Sequence, residues 1–112
     1  MPTIKINRIQ CTVPDEIDKD EMFLKFKGEK VWPVGNLYFR IDTGDKVDVD
    51  LKLEVDLGWV DVELWDFDFL SFNDHLGTFT FNVDDTPGEY STSMKLLEKN
   101  STASYIMHWE IL

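Results

Sequence analysis

Positive side chains are scarce in this chain, with 11 lysines and arginines against 22 aspartates and glutamates and a net charge of −11 over 112 residues. Nucleic-acid binding needs clustered lysine and arginine on the phosphate backbone, so the composition argues against that class. Simple electrostatic attachment to anionic lipid is disfavoured for the same reason. There is one cysteine, Cys11, so no internal disulfide can form and a reducing compartment is the simpler reading. It lies in an alternating apolar run, as a small core residue would. No hydrophobic run approaches a membrane span, and Met1-Pro2-Thr3-Ile4-Lys5 carries no apolar signal region. The expectation is a soluble, cytoplasmic chain, mature from its first residue. Glycine and proline are not enriched and 43% of residues are hydrophobic, which leaves one ordered domain over residues 1–112.

What is present is period two. Ile4 to Val13 alternates, with an apolar parity change between Ile6 and Ile9 that predicts a bulge. Met22 to Phe26 is a second run. A third, from Lys30 to Ile41, is interrupted near Pro33 and Gly35. Val47, Val49, Leu51, Leu53 and Val55 alternate with Asp48, Asp50, Lys52, Glu54 and Asp56, so one face is buried and the other wet. Val60, Val62 and Leu64 share parity with Asp66 and Asp68 in the fifth run, and Phe79, Phe81 and Val83 mark the sixth. Glu89 to Leu97 and Thr102 to Ile111 complete the set. Eight short runs without a credible helix predict an all-β fold, an eight-stranded antiparallel β-sandwich. If successive strands alternate in direction, the connections after runs one, three and five share one end. That end would hold up to eight aspartates, offset nearby in sequence only by Lys19 and Lys46. A third run split at Pro33 would break this parity.

The most unusual stretch is Trp65-Asp66-Phe67-Asp68-Phe69-Leu70-Ser71-Phe72-Asn73-Asp74-His75-Leu76-Gly77. Its aspartates stand as D-x-D-x5-D among aromatics that do not suit a solvated turn. Two unit charges ~4 Å apart repel by about 4 kcal/mol at an effective dielectric constant near 20, which invites a cation. Calcium takes six to eight oxygens from adaptable loops. Asp66, Asp68 and Asp74, with one or two aspartates from Pro14–Glu21, would supply them together with carbonyls and water. An EF-hand is excluded: counting from Asp66, the sixth position is Ser71 and the twelfth Gly77, where that loop needs glycine and glutamate. Magnesium wants a stiffer octahedron. Zinc or a redox metal wants clustered histidine or cysteine, and only His75, His108 and Cys11 exist, far apart in sequence.

A strand ending in hydrophobic-Trp-Asp-x-Asp and followed by Asn-Asp-x-Leu-Gly resembles the C2 domain family, whose third calcium-binding loop has this form. Asp66, Asp68, Asp74 and Gly77 match in type and spacing. The resemblance implies a further ligand at Asp20, since Asp20-Glu21-Met22-Phe23-Leu24 is similar to the family's strand opening after its first loop. It also implies an earlier first-loop ligand, at Asp15 (one residue closer than usual) or at Asp18. The chain departs from the family in its short first loop and in lacking a lysine-rich strand for phosphoinositides; Lys25, Lys27 and Lys30 come nearest. The resemblance covers the whole chain as pattern and about 20 residues as motif.

Other readings compete. Acidic loops often serve only solubility, and Asp42 and Asp45 around Gly44 read first as turn formers. Phe69, Leu70 and Phe72 would pack over the sandwich edge, enter a neutral membrane once calcium cancels the local charge, or meet a protein partner. The four tryptophans read as core and edge packing. Ser71, Asp74 and His75 suggest a hydrolytic triad, but they share one loop without a nucleophile elbow or oxyanion-forming glycines, so no enzyme is expected. The expectation is therefore a non-enzymatic module that binds one or two Ca2+ ions, or else a calcium-independent interaction domain on the same scaffold.

Overall fold

The structure is a computed structural model that describes residues 1–13, 20–69, 72–96 and 103–112. Alternating apolar and polar residues form β1 (Thr3–Val13), β2 (Asp20–Phe26), β3 (Glu29–Trp32), β4 (Phe39–Ile41), β5 (Lys46–Glu54), β6 (Gly58–Asp66), β7 (Asp74–Val83), β8 (Gly88–Ser93), β9 (Lys95–Leu96) and β10 (Ser104–Ile111). One sheet has the order β5-β1-β10-β8. The other has the order β3-β2-β6-β7-β9, with β4 also on β2. Every pairing is antiparallel. The chain is all-β, two antiparallel sheets closed on one hydrophobic core as in a β-sandwich. Among the described residues no helix is long and apolar enough to cross a membrane.

The period-two faces go where burial drives them. Ile4, Ile6, Ile9 and Cys11 of β1 meet Val60, Val62, Leu64, Phe79 and Phe81 of the opposing sheet in the core. The expected bulge is there, as a register shift between Ile6 and Arg8 against both β5 and β10. Across the core Phe81 packs on Trp109 with ring centroids 4.3 Å apart, and the Trp109 indole N–H donates to Thr92 Oγ1 at 2.9 Å. That bond satisfies the polar group that a buried tryptophan brings with it.

Two of the eight expected runs divide. The third becomes β3 and β4, separated by the cis Trp32-Pro33 bond and residues 33–38. Both halves pair antiparallel with the same edge of β2, so they run in one direction and the strand-direction parity survives the split. The seventh becomes β8 and β9, which lie in different sheets. The chain crosses at Met94, whose N–H donates to Tyr105 O at 3.0 Å. The tryptophans also divide. Trp32 and Trp109 are buried, Trp65 is half-buried, and Trp59 is exposed rather than packed.

Candidate metal centre at the aspartate end

The last residues of β1, β4 and β6 all lie at one end of the two sheets. The turn after β4 is tied to β1 by Gly44 N–H to Cys11 O (2.8 Å) and Cys11 N–H to Asp45 O (3.0 Å). The end of β4 lies beside the start of β2 through Ile41↔Asp20, and the end of β6 lies beside it through Asp66↔Met22. The start of β10 lies at the same end, since Ser104 pairs with Val13.

Asp66 is the last residue of β6 and keeps the inward parity of Val60, Val62 and Leu64; it is only 3% exposed. Its Oδ1 accepts the Glu21 N–H at 3.1 Å, and Phe67 N–H donates to Glu21 O at 2.7 Å. These two bonds prolong the β2–β6 pairing past its last register pair. On β2, Asp20 lies two residues before Met22, the register partner of Asp66. Asp68 is exposed, and its N–H donates to Asn73 Oδ1 at 2.9 Å, closing the loop from within.

Asp74 opens β7 directly opposite Asp66. Phe79, Phe81 and Val83 point inward at odd positions, and that parity alone would turn Asp74 outward. A register shift opposite Leu64 and Trp65 changes it: Leu76 and Gly77 are both buried, and Asp74 comes onto the same face as Asp66. Bulges commonly re-aim a side chain in this way beside a functional site. Side chains directly opposite on neighbouring strands have Cβ atoms about 4.5–5.5 Å apart, and like charges there repel.

Gly77 serves a close approach. A Cβ there would lie 2.4 Å from Lys95 O and 2.7 Å from Met94 Cγ, so β9 can lie against β7 only over a bare backbone. Gly77→Ala is therefore expected to cost about 1–3 kcal/mol by overpacking, read as a lower urea midpoint at unchanged slope. An unchanged midpoint would mean that β9 does not pack there.

Asp20 is fully buried at the start of β2 and accepts a hydrogen bond at Oδ2 from the Tyr105 hydroxyl of the opposing sheet. Tyr105 stands beside Cys11, its register partner on β1. Burial raises the phenol above its ordinary value, and the bond to Asp20 raises it further. Burial also pushes the Cys11 thiol up to about 11 from 9.0, against a smaller lowering by its hydrogen bond with Tyr105. Both groups thus hold their protons more tightly folded than unfolded. Their stabilisation is complete below the unfolded values and is lost as pH rises through the folded ones. Urea midpoints should be level between about pH 8 and about pH 9 and fall from there to about pH 11, with a smaller fall in Cys11→Ala. A level profile to pH 11 would contradict the buried pair.

The remaining candidates fall into place or outside it. Asp15 and Asp18 lie outside the described residues, as do Leu70 and Ser71. Asp42 and Asp45 cap their own turn: Asp45 Oδ2 accepts the Asp42 N–H at 2.9 Å, and Asp42 Oδ1 accepts the Thr43 N–H at 2.7 Å. His75 is on the outer face of its sheet, stacked on Trp65 with centroids 4.8 Å apart and its Nε2 3.0 Å from Gly77 O. Neighbouring residues in a strand face opposite ways, so its imidazole does not serve Asp74. Phe67 packs on Tyr38 (5.3 Å) and Phe69 stands edge-on to Phe67 (4.7 Å). Phe69 and Phe72 are nonetheless 71% and 94% exposed.

Asp20, Asp66, Asp68 and Asp74 are thus brought to one end by backbone register, and Tyr105, unmarked by any motif, holds one of them. All-oxygen donors suit a hard cation such as calcium and suit zinc poorly. Among the described residues no three histidine, cysteine, aspartate or glutamate side chains are already gathered into a metal-holding group. No protein-family model matches the chain, and no curated protein matches it in sequence.

Proposed function

We propose that the protein is a non-enzymatic, calcium-binding C2-like module. Asp66, Asp68 and Asp74 would take one or two Ca2+ ions together with Asp20 and a first-loop aspartate, Asp15 or Asp18. The observation that carries this reading is the pairing Asp66↔Asp74 at the strand ends, with Asp20 on the adjacent strand. A like-charged pair at that position costs free energy that a divalent cation converts into attraction. The chain's residues bind and orient the ion: Tyr105 fixes the Asp20 carboxyl, and Asn73 closes the loop on Asp68. A bound ion would supply charge neutralisation for these carboxylates. That neutralisation would change how Phe69 and Phe72 meet a protein or a membrane surface. A cytoplasmic setting accords with a lone, buried cysteine.

Thermal melting with calcium and then with chelator tests the reading. A ligand selective for the folded state raises the melting temperature, so calcium should raise it in the natural sequence and leave it unchanged in Asp66→Asn with Asp68→Asn. Equal melting temperatures in calcium and chelator for the natural sequence would refute it. The exposed Phe69 and Phe72 favour a second reading, a calcium-independent interaction domain, because exposed apolar side chains grouped on a surface mark interaction sites. Partner binding that is the same across calcium concentrations would support it.

A further inference from the structure

At the end of the molecule opposite the aspartates, one stretch of sheet has no paired neighbour among the described residues. β7 covers the whole of β6 on one side, from Gly58↔Val83 to Asp66↔Asp74. On the other side β2 pairs only from Asp66 to Glu63 and then turns away at Lys27 and Gly28, both with positive φ (52° and 79°). Residues 58–62 of β6 are therefore an open edge among the described residues. A groove of about 310 Å³ lies along it, bounded by the β2–β3 turn and the β5–β6 connection. Trp59, 75% exposed, stands in this groove with Phe26, Asp56, Asp61 and Glu63, and Lys27 is its one lysine.

An open strand edge is a template for an added strand, and proteins usually blunt it with charge or cover it. Here the lining has three carboxylates against one ammonium group, and that ammonium, Lys27 Nζ, lies 5.4 Å from the Phe26 ring centroid. Glu63 accepts the Trp65 indole N–H and Asp61 accepts the Thr80 hydroxyl, so both carboxylates are held in place beside the groove. A bare indole beside fixed carboxylates suits a cationic side chain, attracted by the ring face and by the acids together. A second copy of this chain suits the edge poorly, because it would bring the same carboxylates and a net charge of −11 to the contact.

We propose that this edge binds an extended, lysine- or arginine-bearing peptide segment. The segment adds to β6 as a strand along residues 58–62 and lays a cationic side chain over Trp59, within reach of Asp56 and Asp61. Trp59 and Asp66 are seven residues apart on one strand, about 23 Å at 3.3 Å per residue, so the site stands independently of calcium binding.

The test is a calorimetric titration of the full chain, in chelator and at about physiological salt where long-range attraction is screened. The probe is the capped pentapeptide Lys-Val-Lys-Val-Lys. Saturable binding is expected, weakened at least about tenfold by Trp59→Ala or by N-methylation of alternate peptide amides, and less by Asp61→Asn. The peptide Glu-Val-Glu-Val-Glu should not bind. Absence of binding at millimolar peptide would overturn the proposal. So would equal affinity for Trp59→Ala or for the N-methylated peptide, either of which would mean diffuse attraction to an acidic protein. Self-association lost in Trp59→Ala, without peptide binding, would instead assign the edge to a second copy.

Discussion

Tyr105→Phe should lower stability and weaken calcium binding together. The phenylalanine fits the same space, so the loss is the hydroxyl and its bond to Asp20 Oδ2. Hydrogen bonds to charged groups contribute about 1.5–3 kcal/mol, and Asp20 is fully buried, where water cannot replace the lost donor. For a domain of this size each kcal/mol shifts the melting temperature by about 4–8 °C, so the fall should be plain in a thermal scan. The separating readout is affinity. A tyrosine that only filled the core would change stability and leave calcium affinity as it was. One that orients a ligand carboxyl should, on removal, raise the dissociation constant roughly tenfold, about 1.4 kcal/mol.

Asp66→Asn carries the opposite sign in metal-free protein. The amide oxygen can still accept the Glu21 N–H that Oδ1 now accepts at 3.1 Å, while the charge facing Asp74 across the β6–β7 ladder is gone. Relief of that repulsion should stabilise the chelated protein by about 1 kcal/mol, a cross-strand magnitude. The melting temperature in chelator should therefore rise by several degrees, on the order of 4–8 °C per kcal/mol, while the calcium-dependent increment disappears. Stability gained as a binding function is lost is common where a site holds charges in tension. A fall in melting temperature would mean that Asp66 is chiefly a structural acceptor for β2.

Much of this is legible in the sequence, and the rest has identifiable physical causes. Alternation in Val47–Val55 and Val60–Leu64 gave the faces of two strands, since an inward-outward period of two needs no knowledge of the partner. The parity change between Ile6 and Ile9 announced a bulge for the same reason. β7 carries an equal signal, Leu76 even against Phe79, Phe81 and Val83 odd, and that shift carries Asp74 to the face of Asp66. Pairings across the core are of another kind. Tyr105 and Asp20 are 85 residues apart, and no local pattern links them. The split of the seventh run was hidden because β8 and β9 continue one alternation while belonging to different sheets. Trp59 misled through composition: aromatic residues usually pack, and its exposure follows from β2 turning away and leaving the first five residues of β6, 58–62, without a pair on that side.

Whether these aspartates form a calcium site is decided by calorimetric titration of the metal-free protein with calcium. One or two equivalents should bind, with the heat lost in Asp66→Asn with Asp68→Asn and retained in Trp59→Ala. The absence of any saturable heat, with the melting temperature equal in calcium and chelator, would contradict it.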